Sequence, residues 1–178
     1  MLLGTLTACK KEGKITETED YETDSTTVIP ETNEPAENII LTEYSADKVS
    51  ELINKKNDTL YVTNFFATWC GPCVREMPHF REKMEELKDQ PVKFTFVSVD
   101  QKSDWDVKVK DFGREHGIAN HIILLDAMSL SPDFMTKNFQ QWDGGSIPFT
   151  FMRKGDKTDE TVGMMSKEML DEKLNSFK

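Results

Sequence analysis

Residues Phe65 to Pro78 read FFATWCGPCVREMP, and the meaning of this stretch decides the rest of the chain. Two cysteines, Cys70 and Cys73, lie behind Trp69 and ahead of a segment with helical spacing. Such a pair can hold a metal, close a structural disulfide or pass electrons. Upstream, Leu60 to Phe66 is a largely continuous run of β-formers, as expected of a central strand covered on both faces. Downstream, Met77, Phe80, Met84 and Leu87 recur at spacings of 3, 4 and 3, which predicts a helix. Val92 to Val99 is again β-branched and aromatic. The cysteines therefore stand where a strand gives way to a helix inside a strand–helix–strand unit.

That placement favours electron transfer. A thiolate, not a thiol, attacks a disulfide, and the first turn of a helix offers unpaired N–H groups and a positive dipole end. Cys70 falls at that point, with Cys73 one turn further on and within reach of it. Pro72 has its φ pre-set for a first helical turn and lacks the N–H that would go unpaired there. Trp69 adds an apolar platform. The chain has only three cysteines, Cys9, Cys70 and Cys73. A four-thiolate zinc site is excluded within one chain, and His79, His116 and His121 have no finger-like spacing from the pair. A structural disulfide across so short a loop constrains little of the unfolded chain.

Outward from this unit, Ile39 to Leu41 reads as a first strand, and Ser45 as the cap of a helix carrying Val49, Leu52 and Ile53. Trp105 to His116 reads as a helix ended by Gly117, His121 to Leu125 as a strand, and Ser131 to Gln141 as a helix. Phe149 to Met152 and Glu160 to Val162 form a hairpin about Lys154-Gly155-Asp156, and Met169, Leu170 and Leu174 mark a last helix. Alternating strands and helices with a closing hairpin imply an α/β core with a mixed sheet. Phe112 and Leu124 are candidate core residues.

The 178-residue chain has a formal charge of −10, and Lys10 to Asn38 accounts for −6 of it. This balance argues against nucleic acid as a partner. The 9–38 segment has almost no adjacent apolar residues and reads as a disordered acidic tether, about 30 Å end to end. No span approaches the roughly 20 apolar residues of a transmembrane helix. Residues 1–8 read as the remnant of a signal peptide, and Leu6-Thr7-Ala8-Cys9 resembles the lipobox of bacterial lipoproteins, which makes Cys9 a candidate for lipidation. No Lys or Arg precedes Cys9, a departure from that pattern. The alternative is a cytosolic chain with an idle thiol.

From about Ile39 to Lys178 the chain resembles the thioredoxin superfamily. Trp69-Cys70-Gly71-Pro72-Cys73 matches its redox motif, Pro78 the proline of its active-site helix, and Gly145-Ser146-Ile147-Pro148-Phe149 its cis-proline loop. Arg153 to Asp156 and Val162-Gly163 match its closing hairpin. A helix and strand between about Gln101 and Asp126 resemble the insertion of the extracytoplasmic TlpA/ResA-like branch, typified by cytochrome c maturation thioredoxins. The resemblance implies a thioredoxin-like fold, domain 39–178, with a mixed central sheet flanked by helices and the extra helix–strand insertion before the cis-proline loop. It implies Cys70 as nucleophile and Cys73 as resolving thiol, with Trp69, Gly71, Pro72, Ile147 and Pro148 meeting the substrate. Where cytosolic thioredoxins carry a buried aspartate, this chain has Asn64. In the ResA-like branch a glutamate three residues after the second cysteine fills a related niche, here Glu76, either the base for Cys73 or a surface residue paired with Arg75 or Lys83.

The expectation is a thiol–disulfide oxidoreductase of the bacterial cell envelope, lipid-anchored, with its domain facing the periplasm or cell exterior. It would reduce disulfides of client proteins, fed by a transmembrane electron donor, with no metal or organic cofactor beyond the Cys70–Cys73 disulfide. The alternatives are a disulfide-forming oxidase or isomerase, and a redox-inactive binding protein or metallochaperone. Three further sets of residues carry weaker signals. His79 should lie on the helix surface, Trp105 and Trp142 either line a groove or pack, and Met164, Met165 and Met169 form a soft-metal site or fill the core.

Overall fold

The computed structural model describes residues 39–178. The expected signal remnant, the acidic tether and Cys9 lie outside them. β1 (Thr42–Glu43), α1 (Ala46–Ile53), β2 (Leu60–Phe66), α2 (Gly71–Glu86) and β3 (Val92–Ser98) come first. Next come α3 (Lys110–Glu115), β4 (Ile122–Leu124), α4 (Pro132–Asn138), β5 (Phe149–Lys154), β6 (Lys157–Val162) and α5 (Lys167–Ser176). The six strands form one mixed sheet in the order β1-β4-β3-β2-β5-β6. β2 is parallel to β3 and antiparallel to β5, and β4 pairs parallel with both β3 and β1. This is the thioredoxin-like α/β fold, and the inserted helix and strand are α3 and β4.

The alternation of β2 explains its apolar run. Leu60, Val62 and Phe66 face a core shared with Met77 and Phe80 of α2 and Leu170 and Leu174 of α5. Phe65 faces the opposite core, with Val49 and Ile53 of α1 and Phe134 and Met135 of α4. A strand buried on both sides has no polar face to keep, except where a polar side chain finds partners inside. Phe112 and Leu124 are both in the core.

Three elements depart from expectation. The first strand is not Ile39 to Leu41 but Thr42–Glu43, both exposed, because this edge is set by backbone pairing with β4 and not by apolarity. The helix expected from Trp105 opens instead with a 3-10 turn (Lys102–Asp104) and a π turn (Trp105–Val109) before α3. Gly117, at φ 65°, ends the segment as expected. α4 stops at Asn138 instead of reaching Gln141. Asn138 Nδ2 donates to the Phe134 carbonyl at 2.8 Å, while its Oδ1 accepts from Ser50 Oγ at 2.7 Å and Asn54 Nδ2 at 2.8 Å. The chain then turns extended at Phe139 and drives that ring among Phe65, Phe134, Trp142, Phe149 and Phe151, with centroids 5.0–5.9 Å away.

This aromatic knot backs β2 and the start of β5. Phe139→Ala should lower stability by about 3–5 kcal/mol, read as a fall in the urea midpoint with an unchanged denaturant slope.

Candidate active site

Cys70 is the N-cap of α2, with extended backbone (φ −82°, ψ 101°), and its Sγ accepts the Cys73 N–H at 3.2 Å. Pro72 occupies the first helical turn, where no N–H is needed. Cys70 and Cys73 are joined as a disulfide with Cα atoms 5.3 Å apart. The turn before them is anchored twice. Cys70 N–H donates to the Ala67 carbonyl at 3.1 Å. The buried Asp100 carboxylate, just past β3, accepts from Thr68 N–H at 3.1 Å, Thr68 Oγ1 at 2.7 Å and Ser98 Oγ at 2.9 Å.

In this disulfide form Cys70 is only 5 % exposed and Cys73 is wholly covered. The cover over Cys70 comes from the loop leading into β5, whose Ile147 carbonyl oxygen lies 3.7 Å from Cys70 Sγ. Ile147–Pro148 is a cis peptide bond. Trp142 stacks on Phe149 with centroids 4.4 Å apart, and its Nε1 donates to the Ser146 carbonyl at 2.7 Å. Trp69 projects into solvent beside the pair, 69 % exposed.

A groove of about 460 Å³ runs from Ile147 past Leu130, Met135 and Trp142. A larger one, about 1390 Å³, lies along the C-terminal half of α2 beside His116 and His121, away from the sulfurs. The first belongs with the chemistry because it begins at the residue touching Cys70.

Glu76 is not a surface residue. It is fully buried, and Lys83, one of its expected partners, pairs instead with Glu86 and Asp171, at 2.6 Å each. Glu76 Oε1 accepts from Asn64 Nδ2 at 2.8 Å and its Oε2 from Met165 N–H at 2.9 Å. Burial pushes the carboxyl up from 4.5 to about 7, against the opposing pull of the Met165 and Asn64 hydrogen bonds. An acid with that proton affinity, one turn from Cys73, can hold or release a proton at neutral pH.

Sequence reasoning noted Asn64 only as a missing aspartate, and it missed Thr150, whose Oγ1 accepts from Asn64 Nδ2 at 3.0 Å. The β2–β5 register sets Asn64 opposite Thr150, a pairing with no local signal. Asp100 was passed over because it follows an apolar run like any strand-ending acid. His79 is half-buried on α2. Trp105 and Trp142 are both buried, and Trp142 also borders the groove. Of the three methionines, only Met165 is core, while Met164 and Met169 are each 43 % exposed.

The geometry has counterparts among known proteins. Residues 32–153 match the profile of the AhpC/TSA family. The thiol-disulfide oxidoreductase ResA of Bacillus thuringiensis (strain Al Hakam) is 26% identical over 138 residues, covering 76% of this chain and 72% of that protein. The ResA of Bacillus subtilis (strain 168) is 25% identical over 151 residues, covering 80% and 74%. Among solved structures, a thiol:disulfide interchange protein of the thioredoxin family from Chlorobium tepidum TLS superposes with a TM-score of 0.55 at 20% identity, over 76% of this chain and 91% of that one. A DsbF homologue from Corynebacterium diphtheriae gives 0.53 at 19% identity, over 67% and 73%. At these identities the two structures speak to the fold alone.

The Glu76 carboxyl makes stability depend on pH with a definite sign. Unfolded, it gives up its proton near 4.5; folded, near 7. Stability is therefore full below the lower value and falls as pH rises through the window to the upper one. Glu76→Gln removes this dependence. The stability difference between variant and parent should change by about 3 kcal/mol across the window, measured by urea unfolding of the oxidised protein on either side of it.

Proposed function

The chain belongs to the AhpC/TSA family and is a thiol–disulfide oxidoreductase, and we propose that its Cys70–Cys73 dithiol reduces disulfides of client proteins in the bacterial cell envelope. The observation that carries this reading is Cys70 Sγ at the N-cap of α2, receiving the Cys73 N–H, with Ile147 beside it. A fixed N–H donor and the helix dipole favour the thiolate over the thiol.

The reaction runs in two displacements. Cys70 thiolate attacks one sulfur of the client disulfide; that S–S bond breaks, a Cys70–client disulfide forms, and the second client sulfur leaves as a thiolate that takes a proton. Cys73 then gives its proton to Glu76 and attacks Cys70 Sγ. The mixed disulfide breaks, the client thiolate departs, and Cys70–Cys73 is left oxidised. Two electrons pass from the dithiol to the client. Ile147 and Pro148 offer main chain beside Cys70, with Trp69, Gly71 and Pro72 on the other flank, so client backbone adds there as a short strand. No metal or organic cofactor takes part in this scheme.

Each cycle leaves a disulfide that must be reduced again. In an oxidising compartment that requires a membrane-spanning donor of thiol electrons, and lipid on Cys9 would hold the domain near it. Among the described residues no helix is long and apolar enough to cross a membrane. The Gly71-Pro72 pair between the cysteines supports the reducing direction by its likeness to reducing thioredoxins.

Cys70→Ser should abolish insulin-disulfide reduction, and Cys73→Ala should accumulate a mixed disulfide with client at Cys70, seen as a shift on a non-reducing gel. Retained turnover in the Cys70 variant refutes the mechanism. Equilibration with glutathione tests direction: a potential near about −270 mV supports a reductase, whereas one near about −120 mV reassigns the protein as a disulfide-forming enzyme.

A further inference from the structure

Asn64 is buried on β2, opposite Thr150 on β5 and on the face covered by α2. Its side-chain amide is oriented at a cost. Nδ2 donates to both Glu76 Oε1 and Thr150 Oγ1, while Oδ1 is buried with no hydrogen-bond partner among the described residues. A buried, unpaired acceptor is unfavourable, and turning the amide over would give Oδ1 the Thr150 hydroxyl to accept from. The amide keeps its donor side toward Glu76 because a carboxylate oxygen there demands a donor more strongly than a neutral carbonyl does.

We propose that Asn64 is the positioning residue of this site: its NH2, anchored by Thr150, presents a hydrogen bond that keeps Glu76 available as the base for Cys73. The acid and its donor act as one unit shared between a helix and a strand. Glu76 supplies the carboxylate from α2, Asn64 the amide from β2. A carboxylate at residue 64 beside Glu76 would place two like charges within hydrogen-bond distance, so an acid at 76 calls for an amide at 64.

Among the described residues no other side chain donates to Glu76. Met165 N–H is the second donor, from the segment before α5. On its own helix, Arg75 is exposed and His79 half-buried, and neither makes an ion pair with Glu76 among the described residues. Glu168 of α5 is exposed. Lys83 is held by Glu86 and Asp171.

The inference rests on the role given to Glu76 above, and its test separates the two. The readout is the pH titration of the Glu76 carboxyl carbon by NMR in the oxidised protein, which involves no turnover. Asn64→Ala removes a hydrogen bond to the charged form and should move that titration upward by about one pH unit or more. Thr150→Val, which only frees the anchor, should move it the same way by less, and it serves if the alanine variant does not fold. The double variant Asn64→Asp/Glu76→Gln exchanges acid and amide and should restore a carboxyl titrating near neutrality, now on the strand. A merely structural Asn64 would lower stability and leave the Glu76 titration in place, and that result overturns the proposal. If the titration moves but the pH profile of client release from Cys70 does not, the positioning role stands and the assignment of Glu76 as base falls.

Discussion

The N–H of Cys73 aimed at Cys70 Sγ is the contact around which the rest of the domain is arranged. It exists only if β2 ends at Phe66, the chain turns within four residues, and α2 begins at Gly71. Each condition has its own support. β2 is held in register by β3 on one side and β5 on the other. The turn is pinned from outside by Asp100, whose carboxylate takes both polar hydrogens of Thr68. Asp100 is itself positioned by Ser98 and by the Trp105 ring, whose Nε1 donates to the Asp100 carbonyl. The inserted segment thus reaches the site through Trp105.

On the other side, the aromatic knot around Phe139 fixes the loop that brings Ile147 to Cys70. Glu160 of β6 reinforces it by accepting the N–H groups of Gln140 and Gln141, both at 2.8 Å. The nucleophile is therefore fenced by two rigid walls, one from β3 and the insertion, one from α4 and β5. Rigid placement matters because a displacement at sulfur is sensitive to the line of attack.

How much of this was legible in the residues depends on how local each cause is. Cys70, Gly71, Pro72 and Cys73 declare themselves because their chemistry needs only one turn of helix, and β2 declares itself by its largely continuous run of β-formers. Glu76 left half a clue: it sits three residues after Cys73 and four before Phe80, on the buried face of α2. Charge alone argued for the surface there, and tertiary partners overrode it. Thr150 and the Met165 N–H reach Glu76 or Asn64 from 86 and 89 residues away, a proximity that only the sheet order creates. β1 was misplaced by a few residues because an edge strand is defined by its neighbour's backbone. α4 was overextended because its end is set by Asn138 meeting Ser50 and Asn54 on α1.

In the proposed reaction the two sulfurs are served by different physics. Cys70 is stabilised by a backbone N–H and a helix end, neither of which titrates, so its readiness to attack is built into the chain path. Cys73 is wholly buried, where a thiolate is costly, so the scheme calls for a base that takes its proton. Glu76 is the base proposed for it, and burial raises that carboxyl to about 7. On this reading the front sulfur of the reduced protein attacks unaided, while the back sulfur is released by a proton transfer inside the protein. This asymmetry gives a mixed disulfide a lifetime: client is captured by a fixed field and let go by a titrating one. On the same reading the Asn64 amide, donor side toward Glu76, bears on the second event alone, which makes that pair the place where capture and release can be tuned apart.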